Sequence, residues 1–273
     1  MMSLKNNKSL GQHWLKDRDI LDQIAFDAEI EDGDYVLEVG PGLGTLTSSL
    51  LKAAGSGKVL SIEFDPELAK KLPAQFPGKN LEVLNQDFLQ FDLNSLPKNY
   101  KVAANVPYYI TSKIIEKLLT ADNKPQVAAL LVQKEVAQRL AAKPGDMSIL
   151  AVAAQIYAEI SLGEIVDREF FTPPPKVDSQ VVVLRTLPSS KIDEFNRKQN
   201  TNIDEKQLFR VVKAGFSAKR KKISKSLSAN LAAPKDDILK ILNEANVSAD
   251  VRAQELSIEQ WLSLTQHFFK ASI

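Results

Sequence analysis

The sequence predicts an α/β fold, a doubly wound and mainly parallel sheet followed by a small all-helical C-terminal domain. The first observation is alternation. Short apolar runs suited to strands recur near 35–39, 58–62, 81–84, 101–104, 127–132, 158–165 and 180–187. Between them lie helical patterns, an N-terminal one near 17–30 and others near 45–53, 66–73, 111–120, 134–141 and 147–157. Such alternation means a sheet with crossover helices, whose ligands bind at the carboxyl ends of the strands. The second observation is the change of pattern after Pro188-Ser-Ser. The polar stretch 189–205 reads as linker or loop, and beyond it only helical spacing remains: Leu208, Val211, Val212 and Phe216, then Ile238, Leu239, Ile241 and Leu242, then 258–269. The boundary falls between 187 and 188, giving domains 1–187 and 188–273.

Four successive strand ends carry the chemistry. Tyr35-Val-Leu-Glu38-Val-Gly40-Pro-Gly42-Leu-Gly44 is a buried strand entering a tight glycine turn, and Thr45 opens the helix after it. Glycines at 40, 42 and 44 let the backbone approach a ligand closely at the strand's carboxyl end. A dinucleotide fingerprint would place its third glycine where Thr45 stands, so seating a pyrophosphate there is poorly supported. The second strand ends in Glu63, about twenty residues past the turn, where an acid can take both hydroxyls of a ribose. The third ends in Asn85-Gln86-Asp87-Phe88, so that Asp87 can accept from an adenine amine with Phe88 against the ring. The fourth runs into Asn105-Val106-Pro107-Tyr108. An amide oxygen on Asn105, the carbonyl of Pro107 and the ring of Tyr108 suit a flat base bearing an exocyclic amine.

Composition narrows the chemistry further. The 273 residues are 44% hydrophobic, enough for one large domain and a small one. There is no cysteine, which excludes disulfides, thiolate metal sites and cysteine nucleophiles, and two widely spaced histidines do not suggest a metal site. No N-terminal signal-type segment and no membrane-length apolar run is present, so the chain is expected to be cytoplasmic. Net charge is only +1 but polarised: residues 27–38 hold six acids and no base, and residues 206–225 hold eight Lys or Arg and no acid. Lys213, Lys219, Arg220, Lys221, Lys222 and Lys225 are therefore the expected phosphate-binding group. Lys5, Lys8, Lys16 and Arg18 form a weaker cluster.

Taken together, these motifs resemble those of class I S-adenosylmethionine-dependent methyltransferases with a Rossmann-like sheet, and more narrowly the ribosomal RNA adenine dimethyltransferase family. The resemblance extends to Lys8-Ser-Leu-Gly11-Gln12-His13-Trp14-Leu15, to Phe171-Thr-Pro173-Pro-Pro175-Lys-Val177-Asp-Ser179 and to the segment Phe209–Lys221. His13 and Trp14 depart from the Asn and Phe usual in the family. The resemblance implies S-adenosylmethionine held by His13, Leu15, Gly40, Gly42, Glu63, Asp87, Phe88 and Asn105. It implies a target adenine sandwiched between Tyr108 and Phe171 and presented to Asn105 and Pro107. It also implies that the chain, acting as a monomer, dimethylates two adjacent adenosines near the 3′ end of small-subunit rRNA in the immature particle. Two rivals stand beside this reading. One is a large-subunit rRNA or DNA adenine methyltransferase, the other an RNA-binding assembly factor without turnover.

Overall fold

The structure, a computed structural model, describes residues 13–218 and 220–271. It divides the chain into two compact units. One holds the chain up to Gln138 together with Glu159–Thr186, and the other holds Arg139–Ala158 together with the chain from Leu187 onward.

The first unit is the sheet. In chain order it contains β1 (Trp14–Leu15), α1 (Arg18–Asp27), β2 (Tyr35–Val39), α2 (Thr45–Ala54), β3 (Lys58–Glu63), α3 (Pro66–Lys71), β4 (Leu81–Asn85), β5 (Lys101–Asn105), α4 (Thr111–Thr120) and β6 (Val127–Gln133). Helix α5 (Lys134–Leu140) leads into the second unit, where α6 (Ile149–Gln155) lies. The chain then returns through β7 (Ala158–Val166), β8 (Phe171–Thr172) and β9 (Ser179–Thr186). Seven strands run in the order β4-β3-β2-β5-β6-β9-β7. The pairs β3–β4, β2–β3, β2–β5 and β5–β6 are parallel, and β9 runs antiparallel to β6. The order reverses between β2 and β5, so the turns that follow these two strands flank the crevice where α/β sheets bind ligands. A separate two-stranded ladder pairs β1 antiparallel with β8, opposing Leu15 to Phe171 and Trp14 to Thr172.

Local chemistry sets the helix starts. Asp17 caps α1 by accepting from Ile20 N–H at 3.1 Å. Asp65 caps α3 ahead of a proline at the first helical position. Helix α2 instead leaves a left-handed Gly44 (φ 81°), and a Cβ there would lie 2.5 Å from Leu72.

The second unit is helical: α7 (Lys191–Gln199), α8 (Glu205–Phe216), α9 (Ile223–Asn230), α10 (Lys235–Glu244) and α11 (Ile258–Ala271). Two expectations need correction here. The stretch 189–205 is not linker throughout, since α7 occupies its middle. Ser190 accepts from Asp193 N–H, and Asn200 ends the helix in a left-handed conformation (φ 52°). With Ile192 as its one buried residue, α7 carries too weak an apolar stripe to declare itself. The expected single crossing at 187/188 also omits Arg139–Ala158. Met147, Ala151, Val152 and Ile156 pack into the same buried cluster as Leu208, Val212 and Trp261, so this segment belongs with the helices.

Trp261 anchors that cluster. Its side chain is fully buried and stacks on Phe216, with ring centroids 5.5 Å apart. A Cβ on Gly215 would lie 2.4 Å from Trp261 Cη2. Gly215→Ala gains up to about 1 kcal/mol of helix propensity, yet overpacking costs typically about 1–3 kcal/mol. The variant is therefore expected to have a lower urea midpoint than the parent, and an unchanged or raised midpoint would contradict this packing.

Candidate active site

A cavity of about 320 Å³ opens at the β2/β5 crevice. That volume suits a small-molecule site, which typically starts at about 300 Å³. Every residue lining it belongs to the first unit. The two turns that flank it are close neighbours, since a Cβ on Gly40 would lie 4.0 Å from Pro107 Cδ.

Gly40 (φ 71°) and Gly42 (φ 57°) both line the cavity in the left-handed region, which other residues adopt only with strain. Gly40 N–H donates to the Ile62 carbonyl at 2.9 Å, and Gly42 N–H donates to Glu63 Oε2 at 3.0 Å. Glu63 Oε1 accepts from Asp65 N–H at 2.8 Å. One buried carboxylate thus joins the turn after β2 to the turn after β3. Burial pushes it above its ordinary range, opposed by those two N–H donors. Further along the rim, Asp87 Oδ1 caps its own turn through Leu89 N–H at 2.9 Å. Phe88 is buried beneath Lys117, whose ammonium lies 5.8 Å from the ring centroid and donates to the Leu89 carbonyl at 3.0 Å.

Asn105 closes the other side. Its Nδ2 donates to the His13 carbonyl at 3.0 Å, which fixes the amide's orientation, because that carbonyl only accepts. Asn105 Oδ1 is left without a partner among the described residues, in a side chain that lines the cavity. The Tyr108 hydroxyl shares a hydrogen bond with Ser179 Oγ at 2.7 Å. Its ring stacks with that of His13, centroids 5.8 Å apart and planes inclined by 23°. His13 Nδ1 lies 2.7 Å from the Pro173 carbonyl, so it is this nitrogen that carries the donated proton.

Of the expected site residues, His13, Gly40, Gly42, Glu63, Asp87, Phe88, Asn105, Pro107 and Tyr108 line one cavity. Three expectations change. Leu15 and Phe171 oppose each other in the β1–β8 ladder and are buried in the apolar core of the first unit, Phe171 to 2% exposure. Neither lines the cavity, because a ladder turns alternate side chains to opposite faces and both of these face inward. Trp14, the neighbour of Leu15, lines it instead, with Nε1 3.3 Å from where a Cβ on Gly42 would sit. The Pro107 carbonyl is not free, since it accepts from Ile110 N–H at 3.2 Å and from Thr111 Oγ1 at 3.3 Å. The unengaged carbonyl of that turn is Val106's, whose N–H is held by the Leu131 carbonyl at 3.1 Å.

Sequence reasoning passed over Trp14, Val106 and Phe64. Phe64 lines the cavity beside Glu63 and is 60% exposed. Its signal was its position, immediately after a strand-end acid. Among the described residues no group of three His, Asp or Glu is placed to hold a metal, and no helix is long and apolar enough to cross a membrane. In the second unit Lys213, Arg220, Lys221, Lys222 and Lys225 are exposed, with Lys222 paired to Asp250 at 2.7 Å. Lys219 lies outside the described residues.

With this geometry established, comparison with known proteins places the chain. Residues 3–270 match the family described as ribosomal RNA adenine dimethylase. The chain belongs to that family. Among curated members, the ribosomal RNA small subunit methyltransferase A of Dehalococcoides mccartyi is 38% identical over 266 residues, covering 96% of this chain and 88% of the relative. That of Clostridioides difficile is 39% identical over 272 residues, covering 96% and 91%. Among solved structures, a dimethyladenosine transferase from Plasmodium falciparum superposes with a TM-score of 0.78 at 29% identity, covering 96% of this chain and 99% of the other. The 23S rRNA methyltransferase ErmE superposes with 0.72 at 32% identity, covering 93% and 98%. The Rossmann-like sheet with a helical C-terminal part is therefore the fold of this adenine dimethylase.

One buried group beneath the glycine turn has a measurable consequence. Glu38 in β2 is fully buried, and its Oε2 accepts from Thr47 Oγ1 at 2.7 Å and Ser61 Oγ at 2.6 Å, fastening α2 and β3 to β2. Oε1 has no partner among the described residues. Burial pushes the carboxyl up to about 7 from an ordinary 4.5, outweighing the two hydroxyl donors. A folded-state pKa raised in this way favours the protonated acid. Its stabilisation is present below about 4.5 and is lost as pH rises toward about 7. A shift of that size is worth on the order of 3 kcal/mol. Glu38→Gln is expected to be more stable than the parent at pH 8, with the advantage shrinking toward pH 5. Parallel stability–pH curves for the two proteins would contradict this.

Proposed function

We propose that this adenine dimethylase uses S-adenosylmethionine to methylate N6 of two adjacent adenosines near the 3′ end of small-subunit rRNA. The observation that carries the chemistry is the Asn105 amide. Its donor side is tied to His13, and its oxygen is presented in a cavity of small-molecule size.

The cavity fits the cofactor. Two left-handed glycines put no side chain of their own into it, and Glu63 keeps lone pairs for the hydroxyls of a ribose while holding two N–H donors of its own walls. Asp87 has its second oxygen available for an adenine amine, with Phe88 beneath and Phe64 at the rim. When bound, the cofactor supplies an electrophilic methyl group.

The chain's own residues then act on the incoming base. A target adenosine leaves its stack to enter, which costs a few kcal/mol and favours loops and helix ends. Tyr108 offers the ring face for it, held still by Ser179. Asn105 Oδ1 and the unengaged Val106 carbonyl accept the two hydrogens of the exocyclic amine. This draws the nitrogen toward a pyramidal shape with its lone pair out of the purine plane. The rate gain comes from orientation and from dipoles set before the base arrives. No general base is required, because the nitrogen becomes cationic as it gains the methyl group and then sheds its proton to water. His13 completes this wall through its carbonyl and its ring.

The choice of target rests on the relatives of near-equal length that carry the small-subunit name. A second reading, a large-subunit target, is favoured by the likeness to the 23S rRNA methyltransferase. In the first reading the protein works in the cytoplasm as a monomer on the immature small subunit. Lys213, Lys219, Arg220, Lys221, Lys222 and Lys225 there bind RNA phosphates and take no part in chemistry. The test is transfer of labelled methyl groups to undermethylated small subunits, large subunits and DNA, with the modified bases mapped. Label at N6 of two neighbouring small-subunit adenosines is expected. Label confined to large subunits or DNA would overturn the assignment.

A further inference from the structure

A second aromatic ring stands at the mouth of the site, and nothing in the chemistry above uses it. Tyr109 follows Tyr108 in a 3₁₀ turn, lines the cavity and is 62% exposed. Tyr108 is anchored by Ser179 and stacked on His13, whereas Tyr109 has no hydrogen bond, ion pair or ring contact among the described residues. A scattered exposed aromatic is ordinary on a protein surface. Phe26, 76% exposed and away from the cavity, is one such residue. Tyr109 differs in its place, one residue along a rigid turn from the ring that receives the target base.

Resting on the reading of a flipped RNA adenosine at Tyr108, we infer that Tyr109 is the stacking platform for the neighbouring unpaired nucleotide of the same strand. A base drawn out of its stack leaves the face of its neighbour bare. An aromatic side chain that covers this face offsets part of the cost without hydrogen-bond readout. Where the substrate carries two adjacent adenosines, the occupant of Tyr109 is the other adenosine of the pair, whose purine face is large. The platform needs a ring and no hydroxyl.

Two measurements test this. The first is binding of the dinucleotide ApA and of adenosine monophosphate to the intact protein. The parent is expected to prefer ApA by about tenfold, the scale of one base–aromatic stack. Tyr109→Ala should abolish that preference, Tyr109→Phe and Tyr109→Trp should keep it, and Phe26→Ala should behave as the parent. The second is methylation of undermethylated small subunits with the two adenosines mapped separately. Tyr109→Ala should raise the KM for the particle and increase the share with only one adenosine modified, at unchanged cofactor affinity. Tyr109→Ala with the parent's ApA preference and product ratio would overturn the inference while leaving the enzyme's assignment intact. Loss of activity on particles with ApA binding unchanged would also overturn it, and would point to a ribosomal protein as the partner. A parent that methylates no adenosine would sink the functional reading instead, and the dinucleotide comparison would still decide Tyr109.

Discussion

Parallel pairing of β2 with both β3 and β5 is the constraint on which the site depends. Parallel strands place their carboxyl ends on one side, so Gly40, Glu63, Asp87 and Asn105, distant in sequence, reach one rim. The reversal of strand order between β2 and β5 opens the crevice between two turns that would otherwise be covered by a crossover helix. Glu63 then bonds the backbone of its own turn and of the glycine turn, and Glu38 fastens the helix behind them. This wall of the cavity is thus held by acidic side chains spanning neighbouring elements.

The opposite wall depends on a segment outside the large sheet. The two-residue ladder of β1 with β8, together with the contact from His13 Nδ1 to the Pro173 carbonyl, holds residues 13–15 in place, with His13 and Trp14 lining the cavity. The His13 carbonyl then decides which way the Asn105 amide faces. Leu15 and Phe171 contribute by burial, as the apolar anchor that keeps this ladder in register. The family resemblance read from the sequence would put Asn where His13 stands. The contact that matters for Asn105 is made by main chain, and a change of side chain leaves it available.

Much of this was legible in the sequence, for identifiable reasons. The buried strands announce themselves as apolar runs, and the strand-end residues stand out because Gly, Glu, Asp and Asn interrupt them at places where a parallel sheet presents ligands. Main-chain engagement was not legible. Whether the carbonyl of Pro107 or of Val106 is free is set by the 3₁₀ turn that follows, where Ile110 and Thr111 fold back onto Pro107. The inward facing of Phe171 depends on a two-residue ladder too short to leave a periodic signal. The membership of Arg139–Ala158 in the helical unit is likewise a matter of which cluster its apolar face joins, and periodicity does not report that.

The central claim is that Asn105 works as an amide, one side bonded to His13 and the other accepting from the target amine. Asn105→Asp tests it most directly, because at neutral pH the carboxylate keeps an acceptor oxygen but has no N–H for the His13 carbonyl. Steady-state methyl transfer by this variant is predicted to show kcat lower by about 100-fold, the scale for losing one preorganised dipole, with cofactor affinity little changed. A variant that turns over at the parent's rate would show that an oxygen at this position suffices and that the hydrogen bond to His13 does not orient it.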